Sequence, residues 1–375
     1  MDTAPIPAPV PNPGASPRDR LEAVLYEMRR VIVGQDRLLD RVLVGVISRG
    51  HILLEGVPGL AKTLTLETVA RVVGGRFARI QFTPDLVPSD VVGGQVLDRN
   101  GDFSTRLGPV FANFVLADEI NRAPAKVQSA LLEVMAEGHA SIAGETHPVP
   151  TPFLVMATQN PIESEGVYAL PEAQVDRFAM KIVVGYPSPQ DEEEIVRRMS
   201  ASPPVPRQLL DPDDLVELQQ LADQVFVDHR VRQYAVKLVN ATRNPASEGL
   251  AQLTPYLELG ASPRASLGLI RGGRALAVMR GRSFVTPEDV HSLFHDVLRH
   301  RVVLSYEALA ADVRPDQVLD AILDAIPMPE VDLGHLHRSA VAGLAGAQQE
   351  RVCQEAQRGA NRHLPKVAAH LRTFM

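Results

Sequence analysis

The sequence predicts an α/β fold, with a parallel five-stranded sheet between helices followed by a smaller all-helical domain. Three observations predict it. Short β-rich apolar runs alternate with helical stretches from about residue 18 to 187, the pattern of parallel strands joined by crossover helices. A Gly- and Pro-rich turn, Gly56 to Thr63, links the first of these runs to a helix. Beyond Tyr186-Pro187-Ser188-Pro189 the texture becomes helical.

The elements follow in order. Residues 1–17 are dominated by Pro and Ala. Such a segment favours extended polyproline conformation and builds no core, so a disordered tail is expected. Order begins at Ser16-Pro17-Arg18-Asp19, where Ser can cap a helix and Pro can take its first position. His51 to Glu55 reads as a buried strand, and Thr63 to Val73 as the helix after it. Further strands are expected at Arg79–Phe82, Phe114–Ala117, Phe153–Thr158 and Met180–Val184. Ser188 can cap a helix whose first turns carry Asp191, Glu192, Glu193 and Glu194, acids that suit the positive end of the helix dipole. Thr286-Pro287-Glu288-Asp289 is another helix start. The Ala-, Gln-, His- and Arg-rich stretch 331–375 reads as appended helix.

Length and composition narrow the function. A chain of 375 residues suggests two domains plus tails. A formal charge of −7 argues weakly against non-specific nucleic-acid binding. Cys353 is the single cysteine, so no disulfide closes within one chain, which fits a reducing compartment. No apolar run approaches a membrane span, and no secretory signal is visible. The cytoplasm is the expected location.

The turn Gly56-Val57-Pro58-Gly59-Leu60-Ala61-Lys62-Thr63 has the context of a phosphate-binding loop. Amide groups at a helix N-terminus point at the anion. Gly56 and Gly59 let the backbone curl. Lys62 would reach the β- and γ-phosphates of a nucleotide, and the Thr63 hydroxyl would ligate Mg²⁺. Leu64 continues the loop into its helix. Ala61 stands where the general pattern has glycine, a substitution expected to be tolerable at negative φ. Phe114 to Ala117 is a buried run that ends in Asp118 and Glu119. Asp118 would hold the Mg²⁺ hydration shell, and Glu119 would polarise the attacking water. The next strand ends in Thr158-Gln159-Asn160-Pro161. A polar residue there can bond the water or the γ-phosphate, although Asn before Pro is also an ordinary turn.

Together these segments resemble the AAA+ ATPases, and within them the MoxR family. The resemblance rests on Gly56 to Thr63, Leu116 to Pro124, Ala157 to Pro161, Leu170 to Phe178 and Gly260 to Ala265, in that order, and covers roughly 20–330. Ala61 fits it, because MoxR proteins commonly have Ala-Lys-Thr there. The fold it implies is a P-loop AAA+ core over 18–187 and a helical lid over 188–330, which leaves 331–375 as an extension. It implies ATP and Mg²⁺ as ligands, with Val33-Gly34-Gln35 near the adenine. Asn160 resembles sensor 1. Arg177 resembles the arginine finger that completes a neighbouring subunit's site. Arg264 resembles sensor 2, reporting the nucleotide to the lid. An arginine fork neutralises charge on a transferring phosphoryl group. Salt bridging is the alternative role for Arg177, and helix capping or surface charge for Arg264.

The family also implies a hexameric ring, a protein client and partners carrying von Willebrand factor A domains. It places an insert at Pro84 to Val110, with a hairpin turn at Arg99-Asn100-Gly101-Asp102. A second hairpin is expected over Ala140 to His147. Such hairpins face the pore in related rings, or else serve only structure. The extension 331–375 departs from the family. Its His335, His337, His363, His370 and Cys353 have no metal-ligand spacing. The leading expectation is an oligomeric ATPase that remodels or matures a protein client. The main alternative is a nucleic-acid motor, for which no aromatic-rich basic stripe is visible. A non-hydrolysing switch is disfavoured by Lys62, Asp118, Glu119, Asn160 and Arg177 together. A small-molecule kinase would need neither the arginine pair nor the lid.

Overall fold

The structure is a computed structural model and describes residues 15–57, 59–97, 102–160, 166–200, 204–332, 334, 336–338 and 340. Helix α1 (Pro17–Val31) starts as the Ser-Pro signal indicates. The Ser16 hydroxyl accepts from the Asp19 N–H, and Pro17 sits in the first turn, where no amide is needed. Then come α2 (Asp36–Ser48), β1 (Ile52–Glu55), α3 (Lys62–Val72) and β2 (Phe77–Gln81). A short α4 (Pro88–Val92) leads into the hairpin of β3 (Gly93–Leu97) and β4 (Phe103–Leu107). Next are β5 (Phe114–Asp118), α5 (Ala125–Glu137), and the hairpin of β6 (His139–Ile142) and β7 (Glu145–Pro148). β8 (Leu154–Gln159), α6 (Glu172–Val175) and β9 (Met180–Val183) complete the first part.

The five strands expected from the sequence form the central sheet. All are parallel, in the order β2-β5-β8-β1-β9. Their side chains alternate between two cores. Ile52, Leu54, Leu116, Met156 and Ile182 face the core shared with α1, α2 and α3. Leu53, Ile80, Val115, Val155 and Ala157 face the core under α5. A parallel strand buried on both faces is apolar throughout, which is why these runs stood out.

The second part comprises α7 (Pro189–Ser200), α8 (Pro212–Gln224), α9 (His229–Ala241), β10 (Leu257–Leu259), α10 (Pro263–Met279), α11 (Pro287–Leu298), β11 (Val303–Leu304), α12 (Tyr306–Ala310) and α13 (Pro315–Ala325). It is mainly helical, as expected, but also carries the antiparallel pair β10–β11. Strands of two and three residues have no readable period. The helices share the core of α1 and α2. A buried carboxylate ties the two parts together. Asp296 on α11 accepts from Arg37 and Arg41 of α2 and from Arg299, each at 2.8 Å. Arg299 also donates to the Lys181 carbonyl of β9. Burial pushes the Asp296 carboxyl up, but the guanidinium charges and hydrogen bonds outweigh it and hold it below its ordinary value.

The insert is a hairpin, β3–β4, as expected. Its turn residues 98–101 lie outside the described residues. Val96, Leu97, Phe103 and Leu107 on it are exposed. The second hairpin turns at Ala143 and Gly144, both at positive φ (52° and 89°), the geometry of a two-residue hairpin turn. Its apolar Ala140 and Ile142 are buried in the core under α5. Residues 334, 336–338 and 340 are helical, with Leu336 and Ala340 packed on Phe284. The readings made for residues 1–14, for 341–375 and for His335 fall outside the described residues. Among the described residues, no helix is long and apolar enough to cross a membrane. None of them form a cluster of three His, Cys, Asp or Glu that could hold a metal.

Candidate nucleotide site

The loop between β1 and α3 starts against the sheet. A Cβ on Gly56 would lie 2.7 Å from the Val184 carbonyl, so only glycine lets the chain leave β1 beside β9. Gly59 takes φ +86° with open space around it. Pro58 lies outside the described residues. Ala61 corrects an expectation, for its φ is +54°, not negative. It is the residue before α3 and makes no side-chain cap. The left-handed step turns the chain into the helix, and an L-residue there costs about 1–2 kcal/mol. The uncapped first amides of α3 face the space an anion would take. Lys62 Nζ donates to the Gly56 carbonyl at 2.6 Å, and Thr63 is half-buried beside it. Burial lowers the Lys62 ammonium below its ordinary pKa, while Asp118 and Glu119 pull the other way. The lysine therefore lies within reach of the charge of both acids.

The acids are held by parts of the chain that sequence spacing did not disclose. Thr158 is buried at the end of β8, and its hydroxyl donates to Asp118 Oδ1 at 2.7 Å. The Thr158 hydroxyl oxygen in turn accepts from the Glu119 N–H at 2.8 Å. Arg79 of β2 donates to Asp118 Oδ2 at 2.6 Å. Gln81, two residues along the same edge strand, donates to Glu119 Oε2 at 3.1 Å. Arg122 reaches that same oxygen at 3.2 Å. Glu119 is itself left-handed, at φ +56°, a strained conformation of the kind found at functional sites. Asn160 is buried one residue beyond β8.

Gln81 and Arg122 hold the Glu119 carboxylate that a water would need. Gln81→Ala is expected to raise basal ATP turnover by up to about tenfold, the worth of one hydrogen bond to a charged group. Steady-state hydrolysis without client checks this, and a lower rate would show that Gln81 aids Glu119.

A small apolar cleft adjoins the loop. Ile32, Val33, Gln35, Leu60, Ala61 and Leu64 line it, closed by Ile195 and Met199 of α7. The cleft brings Val33 and Gln35 beside the loop. Gly34 lies beside it at φ +71°, where a Cβ would meet the Asp191 side chain at 2.7 Å. Gln35 anchors the turn by donating to the Gly185 carbonyl at 3.2 Å. Ile195 and Met199 carried no motif and were not identified from sequence. The helical period of α7 was their only trace.

The two arginines lie elsewhere. Asp176 and Arg177 precede β9, and β9 runs parallel to β1 with Met180 opposite Ile52. They therefore sit at the strands' N-terminal ends, whereas the loop follows the C-terminal end of β1. Arg264 reaches the same end, 3.4 Å from Asp176. Four residues of strand, about 13 Å, separate that end from the loop. Arg264, expected to resemble sensor 2, therefore does not stand beside this chain's own phosphate loop. The lid packs on α1 and α2, which carries the start of α10 to the far end of the sheet. Both arginines are exposed, in a concavity shared with Arg49 and Arg271. Arg177 Nη1 donates to the Leu132 carbonyl.

Loop, strand-end acids and parallel sheet define a P-loop nucleoside triphosphatase. Comparison with known proteins agrees. A profile described as the ATPase family associated with various cellular activities (AAA) matches residues 51–180, and one described as the AAA lid domain matches 252–322. The chain is 58% identical over 314 residues to Chaperone MoxR1 of Mycobacterium tuberculosis, covering 83% of each chain. It is 39% identical to protein YeaC of Bacillus subtilis, over 82% of this chain and 95% of that one. A solved structure from Cytophaga hutchinsonii matches with a TM-score of 0.80 at 44% identity, covering 84% of this chain and 96% of that one. The chain belongs to the MoxR family of AAA+ ATPases, and it is an ATP-hydrolysing enzyme.

Proposed function

We infer that the chain hydrolyses ATP at contacts between copies of itself in a ring, hexameric by resemblance, and uses the cycle to remodel or mature a protein client. The observation that carries this reading is the position of Arg177 and Arg264. They face outward at the end of the sheet opposite their own phosphate loop, so the phosphates they neutralise belong to a neighbour. ATP lies with its base in the cleft of Val33, Leu64 and Ile195. Its phosphates meet the amides of the loop and of α3, with Lys62 on the β- and γ-phosphates. Thr63 and Asp118 would hold Mg²⁺, which would offset phosphate charge. The donors suit that ion, since both are hard oxygens. The guanidinium of Arg79 now faces Asp118 at 2.6 Å, the position a cation favours. Glu119 takes the proton of the attacking water, and Asn160 orients that water.

The exposed apolar residues Leu97, Phe103 and Leu107, which share one face of β3–β4, are the client-contacting surface of this reading. The second hairpin buries its apolar residues and is structural. The name of the Mycobacterium tuberculosis relative, a chaperone, supports a protein client over nucleic acid. The family resemblance implies partners with von Willebrand factor A domains, and the single cysteine, Cys353, fits a cytoplasmic location. The test is dilution. ATP turnover per chain should fall steeply below the assembly concentration, in parallel with ring mass by light scattering. A rate per chain independent of concentration would sink the shared-site reading.

A further inference from the structure

Asp176 precedes Arg177 in the chain and reaches Arg264 through its side chain. Its carboxylate accepts from Ser262 Oγ at 2.9 Å and from Arg264 Nη1 at 3.4 Å. Ser262 is the N-cap of α10, and its hydroxyl also accepts from the Arg264 N–H at 3.2 Å. The start of α10 is thereby docked on the residue that precedes Arg177. Arg301, only 7% exposed, completes the joint. Its Nε donates to Asp176 Oδ1 at 2.7 Å. Nη2 donates to the carbonyls of Asp176 and Phe178, and Nη1 to those of Ala179 and Val297. A guanidinium has five N–H donors, and these bonds use all of them. Arg301 therefore has no donor left for a phosphate. It wraps the segment 176–179 and neutralises Asp176 from the buried side.

We propose that Asp176, braced by Arg301, is a positioning residue for ATP hydrolysis, holding Arg177 and Arg264 at one fixed offset so that both meet the neighbouring nucleotide together. The proposal rests on the shared-site reading. An arginine acts on a developing charge only from a defined distance, and an error of about 1 Å costs about a hundredfold in rate. Arg177 stands on a short loop and Arg264 on the first turn of a helix from the lid. Without a common anchor, each would move with its own element. Asp176 is the residue before Arg177, and its carboxylate reaches Arg264 and the Ser262 cap of the lid helix.

The test uses the full chain. Asp176→Asn should lower kcat about a hundredfold, and Ser262→Ala by a smaller factor, each with unchanged affinity for a fluorescent ATP analogue in its own loop. Neither change should lower the residual rate of an Arg177→Ala/Arg264→Ala chain further, because the anchor then has nothing to place. A merely structural role would cost the same factor on both backgrounds, and that result would overturn the proposal, as would full activity of folded Asp176→Asn. Should Asp176→Asn not fold, Ser262→Ala decides, since it leaves the Arg301 bonds intact; an unchanged kcat there overturns the proposal. Failure of the underlying reading looks different, because Arg177→Ala itself would then keep its rate.

Discussion

Glu119→Gln is expected to bind ATP as the native chain does and to hydrolyse it about 10²–10⁴-fold more slowly, the range that general-base catalysis contributes. The substitution is a close isostere, and the local structure tolerates it. The amide oxygen still accepts from Gln81 and Arg122, which hold the native carboxylate at 3.1 and 3.2 Å. The backbone stays anchored, because the Thr158 hydroxyl accepts the residue's N–H whatever the side chain. Lys62 and Thr63 are untouched, so affinity should stay within error. What disappears is the ability to take a proton from water. Single-turnover hydrolysis and equilibrium binding separate the two effects, and native-like turnover would remove Glu119 from its role. The same chain with ATP should retain its client, and mass spectrometry of the captured protein would identify it.

Arg177→Ala is expected to lower turnover by about 10³–10⁵-fold, the worth of an arginine finger, while leaving its own loop able to bind ATP. Arg177 is exposed and spends one hydrogen bond on the Leu132 carbonyl, so stability should change little. Lysine should not restore the rate, because a point charge cannot make the two-pronged contact of a guanidinium. Mixing gives the sharper result. Lys62→Ala chains keep their arginines but lose nucleotide, whereas Arg177→Ala chains keep nucleotide but lose the finger. In an equal random ring, about a quarter of head-to-tail contacts pair an intact loop with an intact arginine. About a quarter of native activity should return from two inactive preparations. Arg264→Ala should behave likewise, since it lies at the same end of the sheet. Had it served its own loop, mixing with Lys62→Ala would restore nothing.

The phosphate loop was legible because its chemistry is contiguous. Gly56 to Thr63 carries strand exit, turn and helix start in one run, and no distant residue is needed to recognise it. The five strands were legible because burial on both faces makes them apolar without interruption. The surroundings of the acids were not. Arg79 and Gln81 precede Asp118 and Glu119 by 39 and 38 residues, and meet them only because β2 lies beside β5. Ala61 was recognised as a family feature, yet its left-handed backbone was misjudged. A residue's type does not reveal its φ when the loop around it supplies the strain.

By itself the sequence determined the class of enzyme, since the phosphate loop and the strand-end acids are residue types at short, fixed spacings. Only the tertiary structure placed the two arginines at the end of the sheet opposite their own phosphate loop. Arg177 and Arg264 are 87 residues apart, and motif matching says what each is, not at which end of a strand it stands. That depends on strand direction and on how the lid packs. Both are set by burial of α1 and α2 against the lid helices and by the buried Asp296 network, long-range contacts that no local pattern encodes.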